Sequence, residues 1–281
     1  MQTQGWGAGR GEKWRTQIDA MEAMLAPVDG AVVRALQIEQ ACRIVDVGCG
    51  GGATAIEISR RAPVGSVVHG VDISPALVEV ARARARQREG AVTFEVADMQ
   101  RAAPPAELYD RMVSRFGVMF FDDAPAAFEN LAQWLTPGGR FAFAVWGHTR
   151  DNPWLTTVRD VVARVVELPT ADPDAPGPFR YGDADKLLGL LERAGFCDLH
   201  ASDWRGSLPI GGSLSATEAA RFALTSFSSF AELLHTGGEG KLEAAHRALT
   251  EEFLMHEEDG AVRMNAWVHV FTGARRIRRS R

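Results

Sequence analysis

The spacing of apolar residues changes period repeatedly between residues 43 and 146. Arg43–Val47 is a short apolar run that stops at a cluster of glycines. Residues 53–61 follow with helical spacing, Ile56 among the buried candidates, and Pro63 lies just beyond. Residues 66–71 form a second apolar run. Ser74-Pro75 then supplies an N-cap and a first-turn proline, which predicts a helix to about residue 88, closed by Gly90. Residues 92–96 alternate with period two, and 109–116 read as a fourth strand. A helix over 125–135 puts Phe128, Leu131 and Leu135 on one face, and Pro137-Gly138-Gly139 turns the chain into a fifth strand over 140–146. Strands separated by helices predict a parallel sheet with right-handed crossovers.

The second half is less regular. Residues 152–180 carry five prolines and predict a surface wrap after a short helix. A capped helix over 183–194 ends at Gly195, and 196–204 is a sixth strand. Residues 214–258 read as helical, broken at Gly237-Gly238 and Gly240, and 262–271 as the last strand. A helical insertion of that length is too long for a plain connection and predicts a cap over the sheet edge. The expected division is an N-terminal helical lid (1–30), a core (31–150), the rest of the core with a surface loop and sixth strand (151–213), the helical cap (214–260), and the last strand with a basic tail (261–281).

Composition narrows the class. The chain has 281 residues with 31 Lys+Arg against 36 Asp+Glu, a net charge of −5, which argues against a life on nucleic acid. No apolar run is long enough to span a bilayer, and the Gly-rich, polar first ten residues lack the core of a signal peptide. Three cysteines make no disulfide framework and fit a reducing cytoplasm. Five arginines fall within 275–281, a cluster suited to phosphates or acidic lipids, or simply a solvated tail.

The chemistry begins at Val45-Asp46-Val47-Gly48-Cys49-Gly50-Gly51-Gly52-Ala53-Thr54, where a strand runs into glycines that open a helix. Free N–H groups at a helix start favour a negative ligand group. Gly48, Gly50 and Ala53 match a dinucleotide fingerprint. Gly48, Gly50 and Gly52, with Asp46 two positions ahead, match a tighter spacing. Asp72 ends the second strand, 20 residues past the last glycine, where a carboxylate can accept both ribose hydroxyls. Asp98-Met99 ends the third strand, where a polar group can meet an adenine amine while an apolar one packs on the ring.

At these positions the chain resembles the class I S-adenosylmethionine-dependent methyltransferases, over nearly its whole length. Asp46, Gly48, Gly50 and Gly52 look like their first motif, Asp72 their ribose acid and Asp98 their adenine contact. Residues 109–116 look like their fourth-strand motif, and Leu135-Thr136-Pro137-Gly138-Gly139-Arg140 the segment before their fifth strand. More narrowly, Ser-Arg-Phe-Gly-Val-Met-Phe-Phe (114–121), Asn-Pro-Trp (152–154), Pro-Gly-Pro-Phe (176–179) and Ala-Gly-Phe (194–196) are similar to a bacterial group acting on small molecules. The resemblance implies a doubly wound, seven-stranded, mostly parallel sheet with an antiparallel last strand beside the fifth, plus the helical cap. It implies S-adenosylmethionine as cofactor, in-line transfer to a small acceptor, and no metal. The implied cofactor contacts are Asp46, Gly48, Cys49, Gly50, Gly52, Asp72, Ile73, Asp98, Met99, Ser114 and, from a tryptophan-bearing N-terminal helix, Trp14.

Ligands of open α/β sheets lie beyond the carboxyl ends of the strands. Past the fourth strand, Arg115 is a candidate to hold an acidic substrate group or the cofactor's methionine end, or else to pair with Asp122 or Asp123. Past the fifth, His148 is a candidate general base, or an ordinary loop histidine. Trp14, Ile18, Met21, Met24 and Leu25 at helical spacing fit either core packing or a lid. Trp154, Phe179, Phe222, Phe227 and Phe230 would suit an apolar or aromatic acceptor, or plain core. No metal-ligand spacing or Gly-x-Ser-x-Gly elbow occurs. Ser114-Arg115-Phe116-Gly117 replaces the Pro-Pro-aromatic run of methyltransferases acting on DNA amines. Other functions left open are a non-catalytic S-adenosylmethionine-binding protein and an NAD(P)-dependent oxidoreductase. The oligomeric state is open.

Overall fold

The computed structural model describes residue 9 and residues 11–87, 92–170, 172–226 and 230–277. Its strands are β1 (Arg43–Val47), β2 (Val67–Asp72), β3 (Val92–Val96), β4 (Tyr109–Arg115), β5 (Leu135–Trp146), β6 (Phe196–Pro209), β7 (Glu257–Glu258) and β8 (Ala261–Arg275). The sheet runs in the order β3-β2-β1-β4-β5-β8-β6, with β7 folded back on β8. Neighbours from β3 to β5 are parallel, and β8 is antiparallel to both β5 and β6. This is the mostly parallel sheet with an antiparallel last strand beside the fifth that the resemblance implied, with eight strands in place of seven because the short Glu257–Glu258 strand is added. Ile44, Val45 and Val47 of β1 and residues 141–145 of β5 are buried, as expected of strands covered on both faces.

The helices are α1 (Gly11–Ala35), α2 (Ala53–Arg61), α3 (Pro75–Arg86), α4 (Ala124–Trp134), α5 (Pro153–Ala163), α6 (Ala184–Arg193), α7 (Ala216–Ser226), α8 (Phe230–Thr236) and α9 (Lys241–Leu254). Ser74 caps α3 as its sequence promised, accepting from Leu77 N. The expected closure at Gly90 lies outside the described residues, as does Phe227. Among the described residues no helix is long and apolar enough to cross a membrane.

Three expectations change. The Pro137-Gly138-Gly139 turn lies inside β5: Tyr109 pairs with Leu135 and Arg111 with Arg140, so residues 136–139 bulge opposite one residue of β4. The last two long strands outrun their apolar cores, because β6 and β8 pair over almost their full length and carry polar residues on exposed stretches. Finally, the basic tail begins docked. Arg275 donates to the Leu135 carbonyl, and Arg276 N donates to the Gly195 carbonyl at 3.0 Å. Arg278, Arg279 and Arg281 lie outside the described residues.

Helix α1 carries a buried stripe of Ile18, Met21, Met24, Leu25, Val28 and Val32. It packs on α3, on β5, β6 and β8, and on the cap helix α7. That position closes it over the carboxyl ends of the parallel strands.

Candidate functional site

The strand order reverses between β1 and β4, and the rule for open α/β sheets puts a ligand crevice there. A cavity, partly open to solvent, lies at that point. The loop after β1 forms its floor, the ends of β2 and β3 one side, the 115–121 turn after β4 the other, and α1 its roof.

The floor is made by backbone. Gly48 has φ 69°, and a Cβ there would come within 2.9 Å of Gly117 Cα. The same contact constrains Gly117 from the other side. A Cβ on Gly117 would meet Val47 O at 2.7 Å and Gly48 Cα at 3.1 Å. The glycine loop and the β4 turn are therefore joined main chain to main chain. Gly117→Ala is expected to destabilise the protein by about 1–3 kcal/mol and to disturb both walls at once. Denaturant unfolding and ligand titration of that variant check this.

Asp72 is almost wholly buried at the end of β2. Its Oδ2 accepts from Gly50 N and its Oδ1 from Ser74 N, both at 2.8 Å. Burial pushes its carboxyl up, and these backbone N–H groups pull it back down. It thus braces the glycine loop, and each oxygen keeps a lone pair for a ligand. Asp98 lines the cavity, with Oδ1 accepting from Gln100 N at 3.0 Å and Gln100 Nε2 at 3.3 Å. Ile73 and Met99 line the same side.

Asp46 is the anomaly of the site. It lines the cavity, is fully buried, and its two oxygens have no hydrogen-bond partner of ordinary geometry among the described residues. Burial raises its carboxyl to about 7, against a lowering pull from Arg115 and a small one from the Ala55 N–H. Asp29 and Asp72 push it further up. A buried acid without a partner is costly unless something supplies the opposite charge.

Arg115 lines the cavity, but its partner is neither Asp122 nor Asp123. Its Nη1 donates to Asp29 Oδ2 at 3.1 Å, and Asp29 Oδ1 accepts from Thr54 Oγ1 at 2.9 Å. The guanidinium is nine-tenths buried, so α1 reaches down to fix it in place.

The residues of α1 divide between core and cavity lining. Met24 is buried in the core, while Trp14, Ile18, Met21 and Leu25 line the cavity. Glu22 lines it too, a residue that sequence reasoning missed. It accepts from Arg84 Nη1, which also donates to Gly51 O at 2.7 Å, while Arg84 Nη2 holds Asp19. Arg84 therefore clasps α1 to the glycine loop. Arg84→Ala is expected to lower hydrogen-exchange protection in α1 while leaving β1, β4 and β5 protected, measured by exchange mass spectrometry.

Three candidates fall outside the lining. Gly52 is the N-cap of α2, and its missing Cβ makes room for Phe94 rather than for a ligand. The Ser114 hydroxyl is buried, donating to Val47 O at 2.7 Å and accepting from Gly117 N at 3.2 Å, so it ties β4 to β1. His148 is turned away with the loop after β5. Gly147 N donates to Trp267 O, Asn152 Nδ2 donates to His148 O, and the imidazole packs beside Trp267. Among the cap aromatics, Trp154, Phe222 and Phe230 are core residues, and neither they nor Phe179 lines the cavity. Its apolar wall comes from α1 and from Phe116, Phe120 and Phe121. The fingerprint Ser-Arg-Phe-Gly-Val-Met-Phe-Phe contained that wall, but the residue types alone did not say which side chains face inward. Gly48, Cys49 and Gly50 all line the cavity. Among the described residues no group of three or more His, Cys, Asp or Glu could hold a metal ion.

Residues 44–139 match the methyltransferase-domain family. Over those residues the chain carries a methyltransferase domain. It is 34% identical over 102 residues to aklanonic acid methyltransferase DauC of Streptomyces sp. (strain C5), covering 36% of this chain and 46% of that one. It is 29% identical over 168 residues to a phosphoethanolamine N-methyltransferase of Triticum aestivum, covering 60% of this chain and 30% of that one. The chain thus spans less than half the length of each of these two relatives. Among solved methyltransferase-like folds, YcgJ of Bacillus subtilis superposes with a TM-score of 0.57 at 15% identity, covering 89% of this chain and 99% of that one. Phosphoethanolamine N-methyltransferase 2 of Haemonchus contortus, solved with S-adenosylhomocysteine, gives 0.55 at 17%, covering 93% and 57%.

Proposed function

We propose that this methyltransferase-family chain binds S-adenosylmethionine in the β1–β4 cavity and transfers its methyl group to a small acceptor of apolar or aromatic character. We place that activity in a reducing cytosol, where Cys42, Cys49 and Cys197 stay as free thiols. The observation that carries the reading is the charge of the lining. Four carboxylates (Glu22, Asp46, Asp72 and Asp98) face one guanidinium, Arg115. An acid-lined crevice suits a donor with a sulfonium and an ammonium, and opposes the pyrophosphate of a nicotinamide dinucleotide.

The residues present fit that donor. Asp72 keeps lone pairs for ribose hydroxyls, and Asp98 with Met99 suits an adenine. Asp46 supplies the missing counter-charge for the cationic methionine end, and Arg115 offers that end's carboxylate a donor. Trp14 and the neighbouring α1 residues exclude water above it. When bound, the donor supplies an electrophilic methyl group on a good leaving group. The chain's own task is alignment, which can contribute roughly 7–11 kcal/mol. His148 takes no part.

Incubation with methyl-labelled S-adenosylmethionine and a broad metabolite extract tests the reading. Label in a small organic product is expected. Donor binding with no transfer across broad extracts would favour a non-catalytic binding protein instead.

A further inference from the structure

The 115–121 turn of the cavity is held from behind by a strap, residues 177–182. Gly177 N donates to Met119 O at 3.2 Å, and Arg180 Nη1 donates to Phe121 O. The strap is wound on itself. Arg180 N donates to Gly177 O at 3.3 Å, and Gly182 N to Phe179 O at 3.1 Å. Tyr181 is wholly buried beside Phe128, and its hydroxyl has no hydrogen-bond partner among the described residues, so packing rather than a polar contact seats it. The far end of the strap is tied to the sheet by His269 of β8, whose Nε2 meets Gly182 O at 3.1 Å.

His269 is buried, and its Nδ1 meets Asp203 Oδ1 of β6 at 2.9 Å. A carbonyl and an ionised carboxylate only accept hydrogen bonds. A neutral imidazole has one N–H, so it satisfies one of these partners and turns a lone pair on the other. An imidazolium satisfies both. The surroundings supply few other charges. On β6, Arg205 lies 3.9 Å from Asp203 Oδ2, and its guanidinium stands over Trp267, whose ring packs edge-on against His269 at 4.8 Å. β8 has no other charged residue between Met264 and Ala274, and β5 sets Val145 opposite His269. In the loop after β5, His148 packs beside Trp267, and Arg150 pairs with Asp151. Beyond Gly182, Asp183 accepts from Asp185 N as the cap of α6, and the charged residues of α5, Arg159 and Asp160, are exposed.

We propose that His269 is a positioning residue: as an imidazolium bridging Asp203 and the Gly182 carbonyl it latches the strap, and so the 115–121 wall of the cavity, and loss of one ring proton opens that latch. The partners set the direction. The N–H that remains goes to the carboxylate, the stronger acceptor, and Gly182 O is left without its donor. The latch is closed at acidic pH and opens as pH rises through the range in which histidine changes charge. It acts on the wall whatever the cavity binds, so its test stands apart from the donor reading above.

Asp203→Asn separates the latch from a plain structural role. The carboxamide accepts from a protonated Nδ1 or, turned over, donates to a bare one, so a neutral ring keeps its N–H for Gly182 O. The measurement is hydrogen exchange by NMR at the Gly177, Arg180 and Gly182 amides of the strap and the Phe120 amide of the wall. Wild type and variant are compared at the same pH, so that effects common to both, that of Asp46 among them, cancel. At about pH 5 the two are expected to protect these amides equally. At about pH 8 the wild type is expected to protect them at least about tenfold less than the variant, with the amides of β1 alike in both. Nitrogen NMR of the histidine rings should show His269 with both nitrogens protonated at the acidic end and one at the alkaline end. Equal protection of the strap at both pH values, a Phe120 amide indifferent to a loosened strap, or a singly protonated His269 at the acidic end would overturn the proposal.

Discussion

Asp46→Asn is expected to make the free protein more stable and the donor-bound protein weaker. In the free fold the Asp46 carboxyl titrates at about 7, against 3.8 for an unperturbed side chain. The folded state therefore holds a proton that the unfolded chain has lost between those two values. The contribution of Asp46 to stability falls as pH rises through that window and is constant above it. At pH above 7 the deficit is about 4 kcal/mol by that difference. Asparagine removes the ionisation but still buries an amide, so a gain of about 2 kcal/mol is expected, seen as several degrees in Tm. The gain should shrink as pH falls through the same window. Denaturant unfolding of both proteins at about pH 5 and about pH 8 reads it directly. The same substitution should weaken S-adenosylhomocysteine on the order of tenfold to a hundredfold, since a charge-assisted contact with the ligand's ammonium is lost. In the wild type a cationic ligand draws Asp46 to its ionised form. Affinity should therefore rise with pH up to about 7, with proton release on binding, measurable by calorimetry in two buffers of different ionisation enthalpy.

Asp72→Ala should have the larger effect on affinity. It removes a carboxylate placed for two ribose hydroxyls, each charge-assisted bond being worth about 1.5–3 kcal/mol. It also frees Gly50 N and Ser74 N, which now have Asp72 as their acceptor. A loss of at least about a hundredfold in donor affinity is expected, with the sheet still folded by circular dichroism. Affinity within about threefold of the wild type would remove Asp72 from the donor site.

What was legible in the sequence was local. Asp46, the glycines, Asp72 and Asp98 each end a strand or open a helix, so their positions follow once the alternation of elements is read. Ser74 could be recognised as a cap for the same reason. What was hidden depends on residues far apart in the chain. The clasp from Arg84 to Glu22 spans 62 residues and the Arg115–Asp29 pair spans 86. Neighbouring acids were the natural guess for Arg115, yet α1 supplies the partner. His148 follows the fifth strand as a base should, but the pairing of β5 with β8 and the buried Asn152 carry its loop away. The cap aromatics looked like a pocket because buried rings and ligand-facing rings share one composition. Only packing separates Trp154, which supports Trp146, from Phe116, which faces the cavity.

The most direct test of the account is a calorimetric titration of the purified chain with S-adenosylhomocysteine and, separately, with NADH. Saturable one-to-one binding of the first, lost in Asp72→Ala, with no heat from the second is the predicted result. Binding of NADH with indifference to S-adenosylhomocysteine would contradict it.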